Sequence, residues 1–313
     1  MLWSGFVGKI KVAMCQMSVV DNKEKNIKKA IAMINKAKEK GVDLAILPEM
    51  FNCPYENEKF VEYSELAEDS YTLKSISSIA KEKNIHVLAG SIPEKVIVKE
   101  NENKSTTIPK KIAKDSENRL SEHIYNTSFL FDDNGEILAY HRKMHLFDIN
   151  IKDKVYFKES DTLKAGNEVT VIDTKFGKIG IAICYDIRFP ELSRLMALKG
   201  AELLIFPGAF NLTTGLAHWK LLFRTRALDN QVFTIGVSPA LDKDSSYNAY
   251  GHSIVCNPWG EAIAEAKHDE KLIIAEIDLK EIAKIREELP MLNNRRSDIY
   301  ELKLKNNKIQ YMN

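Results

Sequence analysis

The first ninety residues alternate short apolar runs with amphipathic ones, and this alternation limits the fold more than any other feature of the chain. Residues 9–17 read as a strand. Residues 21–40 read as a helix with an apolar stripe of Ile27, Ala30, Ile31, Ile34 and Ala37, closed by Gly41. Residues 44–47 form a short buried strand that runs into Pro48 and Glu49. Residues 71–82 are a second helix and 85–91 a third strand. Strand–helix–strand–helix–strand is the signature of a layered α/β fold in which helices cover a sheet.

The same order returns later. Strands are expected at 169–173 and 178–184, a helix at 190–199 ending at Gly200, a strand at 203–207, a helix at 214–228 and a strand at 231–238. A late hairpin follows at 253–256 and 261–266, around the Asn257–Pro258–Trp259–Gly260 turn. The last sheet strand is expected at 272–277 and a helix at 279–287. Each half carries a reactive residue just after a strand. The chain therefore reads as one domain over residues 9–300, with a tail at 301–313.

Between the halves the pattern breaks. Residues 94–123 are rich in Lys, Asn, Glu and Ser, with little periodicity, and read as a solvated insertion at about 95–122. Order resumes with a hairpin, 125–131 and 136–142, around the Asp132–Asp133–Asn134–Gly135 turn. Residues 143–163 are polar and irregular, as expected of a loop over a site.

Composition narrows the function. With 313 residues, 44% of them hydrophobic, the chain can bury a large core. A net charge of +1 gives no electrostatic case for nucleic-acid or anionic-membrane partners. No apolar stretch reaches the ~18 residues of a membrane span, and residues 1–9 lack the apolar core of a secretory signal. The four cysteines, Cys15, Cys53, Cys184 and Cys256, lie far apart and form no CxxC pair. That argues against a disulfide framework or a cysteine zinc site, and fits a cytoplasmic protein with reduced thiols.

Cys184 is the chemical focus. An apolar run, Ile179–Gly180–Ile181–Ala182–Ile183, ends at the thiol, and a helix is expected to open at Pro190. A thiol of ordinary pKa is mostly protonated at neutral pH. It needs a base, a positive or N–H-lined pocket for an oxyanion, and a group that activates water. Glu49, at the end of a buried strand, reads either as a general base with a raised pKa or as a cap or structural ion pair. Lys143 reads as an oxyanion cation or, on residue type alone, as one more solvated lysine. His141 and His145 are four apart, but the segment reads as strand then loop, and no HExxH motif is present, which argues against a metal site. Gly166, Gly177 and Gly180 form no phosphate loop. Leu216, Trp219, Leu222 and Phe223 read as core or subunit interface.

Three blocks taken together, Leu47–Pro48–Glu49, His141–Arg142–Lys143–Met144–His145 and Gly180 to Glu191, resemble the Glu–Lys–Cys triad of the nitrilase superfamily of carbon–nitrogen hydrolases. The resemblance runs from about residue 11 to 300, apart from the insertion. Blocks such as Phe51–Asn52–Cys53–Pro54–Tyr55, His145–Leu146–Phe147–Asp148 and Ala217–His218–Trp219 are similar to the omega-amidase branch.

The resemblance implies a four-layer αββα sandwich that pairs into an αββα–αββα homodimer. It implies no metal or organic cofactor, and a small-molecule amide substrate: a dicarboxylic acid monoamide such as 2-oxoglutaramate or 2-oxosuccinamate. It implies that Cys184 forms a thioester, that Glu49 is the base and that Lys143 holds the oxyanion, with the backbone N–H of Tyr185 as second donor. Glu159 would position Lys143 or the substrate amide. Arg188, Tyr55 and Phe51 are the candidates for holding the rest of the substrate. Alternatives on the same scaffold are a deaminated-glutathione amidase, an N-carbamoyl hydrolase, a non-catalytic binding protein and a redox-sensing thiol protein.

Overall fold

Strand β1 (Lys9–Gln16) starts the first sheet, and helix α1 (Lys23–Glu39) returns the chain across it. The structure, a computed structural model, describes residues 8–99, 120–151 and 155–305. Helix α1 begins two residues later than its periodicity suggests, because the Asn22 side chain accepts from the Lys25 N–H and caps it. Next come β2 (Leu44–Ile46), α2 (Asn57–Glu62), β3 (Glu65–Leu66), α3 (Tyr71–Lys83), β4 (His86–Lys99), β5 (Leu120–Phe131) and β6 (Ile137–Arg142). A small hairpin, β7 (Asp148–Ile151) and β8 (Val155–Lys158), precedes the second half. There follow β9 (Thr170–Thr174), β10 (Gly177–Ile181), α4 (Pro190–Leu198), β11 (Leu203–Pro207), α5 (Leu212–Asn230) and β12 (Phe233–Val237). The chain then runs through β13 (Ile254–Cys256), β14 (Ala262–Glu265), β15 (Lys271–Asp278) and α6 (Lys280–Glu288).

The first sheet has the order β15-β1-β2-β4-β5-β6, with β3 beside β4, and the second β14-β13-β12-β11-β10-β9. In each, the central strands are parallel and joined across helices, while the edges are antiparallel. Because both faces of such strands are covered, they read as unbroken apolar runs.

Three apolar clusters define four layers. Val12, Met14, Ile46 and Leu88 of the first sheet share one with Ile179, Ile181, Ile205 and Ile235 of the second. The other face of the first sheet packs Ala13, Ala45 and Val87 with Ala30, Ile34, Ile76 and Ile79 of α1 and α3. The outer face of the second sheet packs Leu204, Phe206 and Ile254 with Met196, Trp219 and Phe223 of α4 and α5. This is the αββα sandwich expected from the resemblance.

Several local expectations are corrected. Residues 94–99 and 120–123 are not irregular: β4 and β5 stay paired from Glu94↔Tyr125 out to Lys99↔Leu120. Beyond Glu94 the described side chains, Lys95 to Val98 and Leu120 to His123, are half-buried or exposed, and the Val96–Ile97–Val98 run breaks any polar–apolar alternation, which hides the strand period. The centre of the insertion lies outside the described residues. The supposed loop 143–163 contains the β7–β8 hairpin and a short 3-10 turn at Glu159–Asp161. The strand before Cys184 stops at Ile181, and the cysteine instead opens a 3-10 turn, Cys184–Arg188. Leu216 is 78% exposed, so it takes no part in the chain's own core, unlike Trp219 and Phe223.

Candidate active site

Three strand ends converge where the two sheets meet. Glu49 follows β2, Lys143 follows β6, and Cys184 follows β10. Strands β2 and β10 are parallel-sheet strands, whose carboxyl ends are where α/β sheets place ligands. The Glu49 segment docks into a bulge of β4 between Ala89 and Ile92. There Met50 N–H donates to Ser91 Oγ at 3.0 Å and Phe51 N–H to Ser91 O at 3.2 Å. Gly90 makes that approach possible, since a Cβ on it would lie 1.9 Å from the Pro48 carbonyl oxygen.

Lys143 is fully buried, which residue type alone did not suggest. Its Nζ donates to Glu49 Oε1 at 3.0 Å, to Glu159 Oε1 at 3.0 Å and to Tyr55 Oη at 3.2 Å. The Tyr55 hydroxyl donates in turn to Glu159 Oε1 at 3.0 Å. Glu49 and Glu159 are likewise fully buried, and each is also held by a backbone donor. Ala209 N–H reaches Glu49 Oε2 at 2.7 Å, and Phe147 N–H reaches Glu159 Oε2 at 2.7 Å.

The electrostatics follow from two carboxylates and one ammonium in a dry pocket. Burial pushes the Glu49 carboxyl above its ordinary range; Lys143 opposes this and Glu159 adds to it. Burial works against the Lys143 charge, but Glu159 and Glu49 outweigh it and hold the ammonium well above the usual lysine range. The Cys184 thiol is pushed well above the ordinary cysteine value by burial and by the Glu49 charge, against the pull of Lys143. Glu49 lies within hydrogen-bond reach of that thiol. The directions of these shifts favour a neutral thiol beside a desolvated Glu49 over a thiolate ion pair.

Cys184 has φ +47°, in the left-handed region, where a side chain costs about 1–2 kcal/mol. The turn that imposes it is held by buried partners. Arg226 of α5 donates from Nε to Ile187 O at 2.9 Å and from Nη2 to Arg188 O at 3.3 Å. On its other side, Asp186 Oδ2 accepts from Ile183 N–H at 2.9 Å.

The four residues expected to bind substrate fall in different places. Tyr185 follows Cys184 in the turn, its ring edge-on to Phe147 and Phe189. Arg188 lies with its guanidinium 4.6 Å from the Phe210 ring centre, and its Nη1 is 3.1 Å from His218 Nδ1. Its Nε is buried without a hydrogen-bond partner. Tyr55 belongs to the Lys143 cluster and also packs against Tyr247, the rings tilted by 36° with centres 4.7 Å apart. Phe51 lies apart from the other three. It is fully buried in the cluster beneath α1 and α3 and does not line the cavity beside Glu49, because the Met50 turn sends it to the opposite face of the sheet.

That cavity, of about 30 Å³, is lined by Glu49, Tyr55, Ala209 and Tyr247 among others, and is water-sized. Three contributors escaped the sequence. Asn126 donates to Glu49 Oε1 at 2.9 Å. Tyr247 donates its hydroxyl to Ala209 O, on the residue whose N–H holds Glu49. Asp186 bonds both His141 and His145. A signal existed for the first: Asn126, Thr127 and Ser128 are consecutive polar residues inside an apolar strand and are all fully buried, which demands partners.

The carbon–nitrogen hydrolase family model matches residues 11–287. The chain is 42% identical over 295 residues to the omega-amidase NIT2 of Bos taurus, covering 94% of this chain and 98% of that one. It is 42% identical over 298 residues to the chloroplastic omega-amidase of Arabidopsis thaliana, covering 94% and 74%. Its fold is similar to the crystal structure of Saccharomyces cerevisiae Nit3, a member of branch 10 of the nitrilase superfamily. The TM-score is 0.78 at 39% identity, over 93% of this chain and 98% of the other. With sequence and fold matched across nearly its whole length, the chain belongs to the carbon–nitrogen hydrolase family and is a hydrolase of carbon–nitrogen bonds.

Proposed function

We infer that the protein is an omega-amidase, which hydrolyses the terminal amide of small dicarboxylic acid monoamides such as 2-oxoglutaramate and 2-oxosuccinamate to the dicarboxylate and ammonia. The observation that carries the chemistry is the buried Glu49–Lys143–Glu159 cluster set against the Cys184 thiol. Sulfur attacks the amide carbon as its proton passes to Glu49. The oxyanion that forms is met by Lys143 and the Tyr185 N–H. Glu49 returns the proton to the nitrogen, the carbon–nitrogen bond breaks, and ammonia leaves a thioester on Cys184. Glu49, a base again, takes a proton from water as the water oxygen attacks the thioester. The acid departs and the proton returns to sulfur. Glu159 and Tyr55 keep Lys143 aimed.

Arg188 is the side chain suited to the substrate's distal carboxylate. It is a cation near the nucleophile with a buried, unoccupied Nε, and a guanidinium binds carboxylates in a two-pronged way. The reaction needs no metal or organic cofactor, and its partner is a small molecule rather than a nucleic acid or a membrane. Among the described residues, no helix is long and apolar enough to cross a membrane. The reduced, widely spaced thiols support a cytoplasmic protein, organised as one catalytic domain over 9–300 with a tail at 301–313. We take the working form to be a homodimer formed through α5. Leu221 and Leu228, seven residues apart on the side of α5 away from Trp219, are 64% and 41% exposed.

The test is ammonia release from 2-oxoglutaramate, 2-oxosuccinamate, glutamine, deaminated glutathione and a simple nitrile. The oxo-acid amides are expected to give the highest kcat/KM, and Cys184→Ala to abolish turnover. A clear preference for deaminated glutathione or the nitrile would overturn the substrate assignment.

A further inference from the structure

We propose that Asp186 is a positioning residue that registers the nucleophile against the oxyanion cation, one buried carboxylate gripping both the Cys184 turn and the Lys143 crossing. Its two oxygens divide the work. Oδ2 accepts the Ile183 N–H at 2.9 Å, immediately before Cys184, and lies 3.2 Å from His141 Nε2. Oδ1 accepts the His145 N–H at 2.9 Å and lies 2.7 Å from His145 Nδ1. His141 and His145 stand two residues before and two after Lys143. The lysine's backbone is thus tethered on both sides to the residue that shapes the nucleophile's turn.

Why such a tether is needed follows from where the parts come from. Lys143 belongs to the first sheet: its own N–H goes to Asn126 O at 2.9 Å, and its carbonyl accepts from Gly166 N–H at 2.8 Å. Cys184 belongs to the second. Apolar packing between two sheets is non-directional and does not by itself fix their register to the fraction of an ångström that attack on an amide carbon requires. Directional bonds do. Among the described residues, two side-chain carboxylates make that link at the site: Glu49 to Ala209 N–H, which positions the base, and Asp186, which positions the nucleophile and the cation.

The backbone supplies a second reason. A left-handed φ at a non-glycine residue persists only where its surroundings over-determine it. The Ile183–Asp186 segment is closed by reciprocal bonds, Ile183 N–H to the Asp186 carboxylate and Asp186 N–H to Ile183 O at 3.0 Å. His141 is wedged between Asp186 and Thr170, 3.0 Å from the Thr170 hydroxyl, so it cannot swing away. His145 is pinned by stacking on Phe189, with ring centres 3.7 Å apart. Burial penalises the Asp186 charge, but the bonds to His141, His145 and Ile183 outweigh it and hold the carboxyl well below the usual range, so the grip is fully charged at working pH.

Asp186→Asn keeps size and one acceptor but gives Oδ1 or Oδ2 a donor that faces N–H groups. Expected is a folded protein whose kcat on its best amide falls 10²–10³-fold with KM within about threefold. The rate at which iodoacetamide alkylates Cys184 should also fall, at unchanged far-UV circular dichroism. The alkylation arm reads the thiol directly, so it tests Asp186 even if the amide preferred is not an omega-amide. A folded variant with kcat and alkylation rate within threefold of wild type overturns the proposal, as does a loss confined to KM. If Asp186→Asn does not fold, His145→Gln decides. It removes the ring's bond to Asp186 Oδ1 and its stack on Phe189 while leaving the backbone tether in place, and should lower kcat about tenfold at unchanged KM in a folded protein, whereas unchanged kcat refutes the role.

Discussion

Cys184 and Glu49 are tuned for each other rather than for independent ionisation. The cluster holds two carboxylates and one ammonium, so its net charge opposes a thiolate. Alkylation of Cys184 should therefore climb steeply with pH through and above the ordinary thiol range, with no fast plateau near neutrality of the kind a histidine-paired thiolate gives. A pH series of iodoacetamide rates checks this. Glu49 must start unprotonated, and its folded pKa is raised, so activity is lost as pH falls through that raised value. The acid limb of kcat/KM should lie above the range of an ordinary glutamate. On the alkaline side Lys143 keeps its charge beyond the usual lysine range and should impose no limb below it. Glu49→Gln removes the proposed base and should lower kcat by about 10²–10⁴-fold. Lys143→Met leaves two buried carboxylates facing each other without a cation, and should cost about 3–5 kcal/mol in chemical denaturation besides abolishing turnover.

At the scale of elements, the site depends on how closely the Glu49 segment approaches β4. Gly90→Ala drives a methyl into the Pro48 carbonyl. It should cost about 1–3 kcal/mol, read as a lower Tm, and depress kcat by displacing Glu49, while a substitution at the exposed Gly41 turn should leave kcat unchanged. Much of this level was legible in the chain. The parallel strands β2, β10, β11 and β12 announce themselves as apolar runs because both their faces are covered, and Glu49 and Cys184 are visible because each ends such a run. Lys143 was not legible by residue type. Its burial depends on Glu49, Tyr55 and Glu159, which lie 94, 88 and 16 residues away. Only the order of three motifs along the chain revealed it. Asp186 was hidden in plain sight within the cysteine motif, since His141 and His145, its side-chain partners, lie 45 and 41 residues away in the chain. The outer halves of β4 and β5 were missed because strands with no buried face to fill carry no period of polar and apolar residues, as in Lys95–Val96–Ile97–Val98 and Leu120–Ser121–Glu122–His123.

At the scale of the whole molecule, α5 carries apolar residues on its outward side as well as its inward one. The proposed α5 dimer predicts that Leu221→Glu sediments as a monomer under conditions where the unaltered protein sediments as a dimer, without loss of far-UV signal. Separation of the two sheets should abolish activity before secondary structure is lost, because the proposed base and cation come from one sheet and the proposed nucleophile from the other. In a denaturant series, amide hydrolysis is expected to disappear at a lower concentration than circular dichroism.

The antiparallel partner of β1 is β15, paired from Lys9↔Asp278 to Gln16↔Lys271. During synthesis the first strand of the sandwich therefore leaves the ribosome with one edge of peptide groups bare, and its mate is translated roughly 250 residues later, on the order of tens of seconds at biological rates. An unpaired apolar edge recruits other strands. This sandwich is thus sewn shut by its last strand, and the nascent chain is most exposed to mispairing in the interval before that strand arrives.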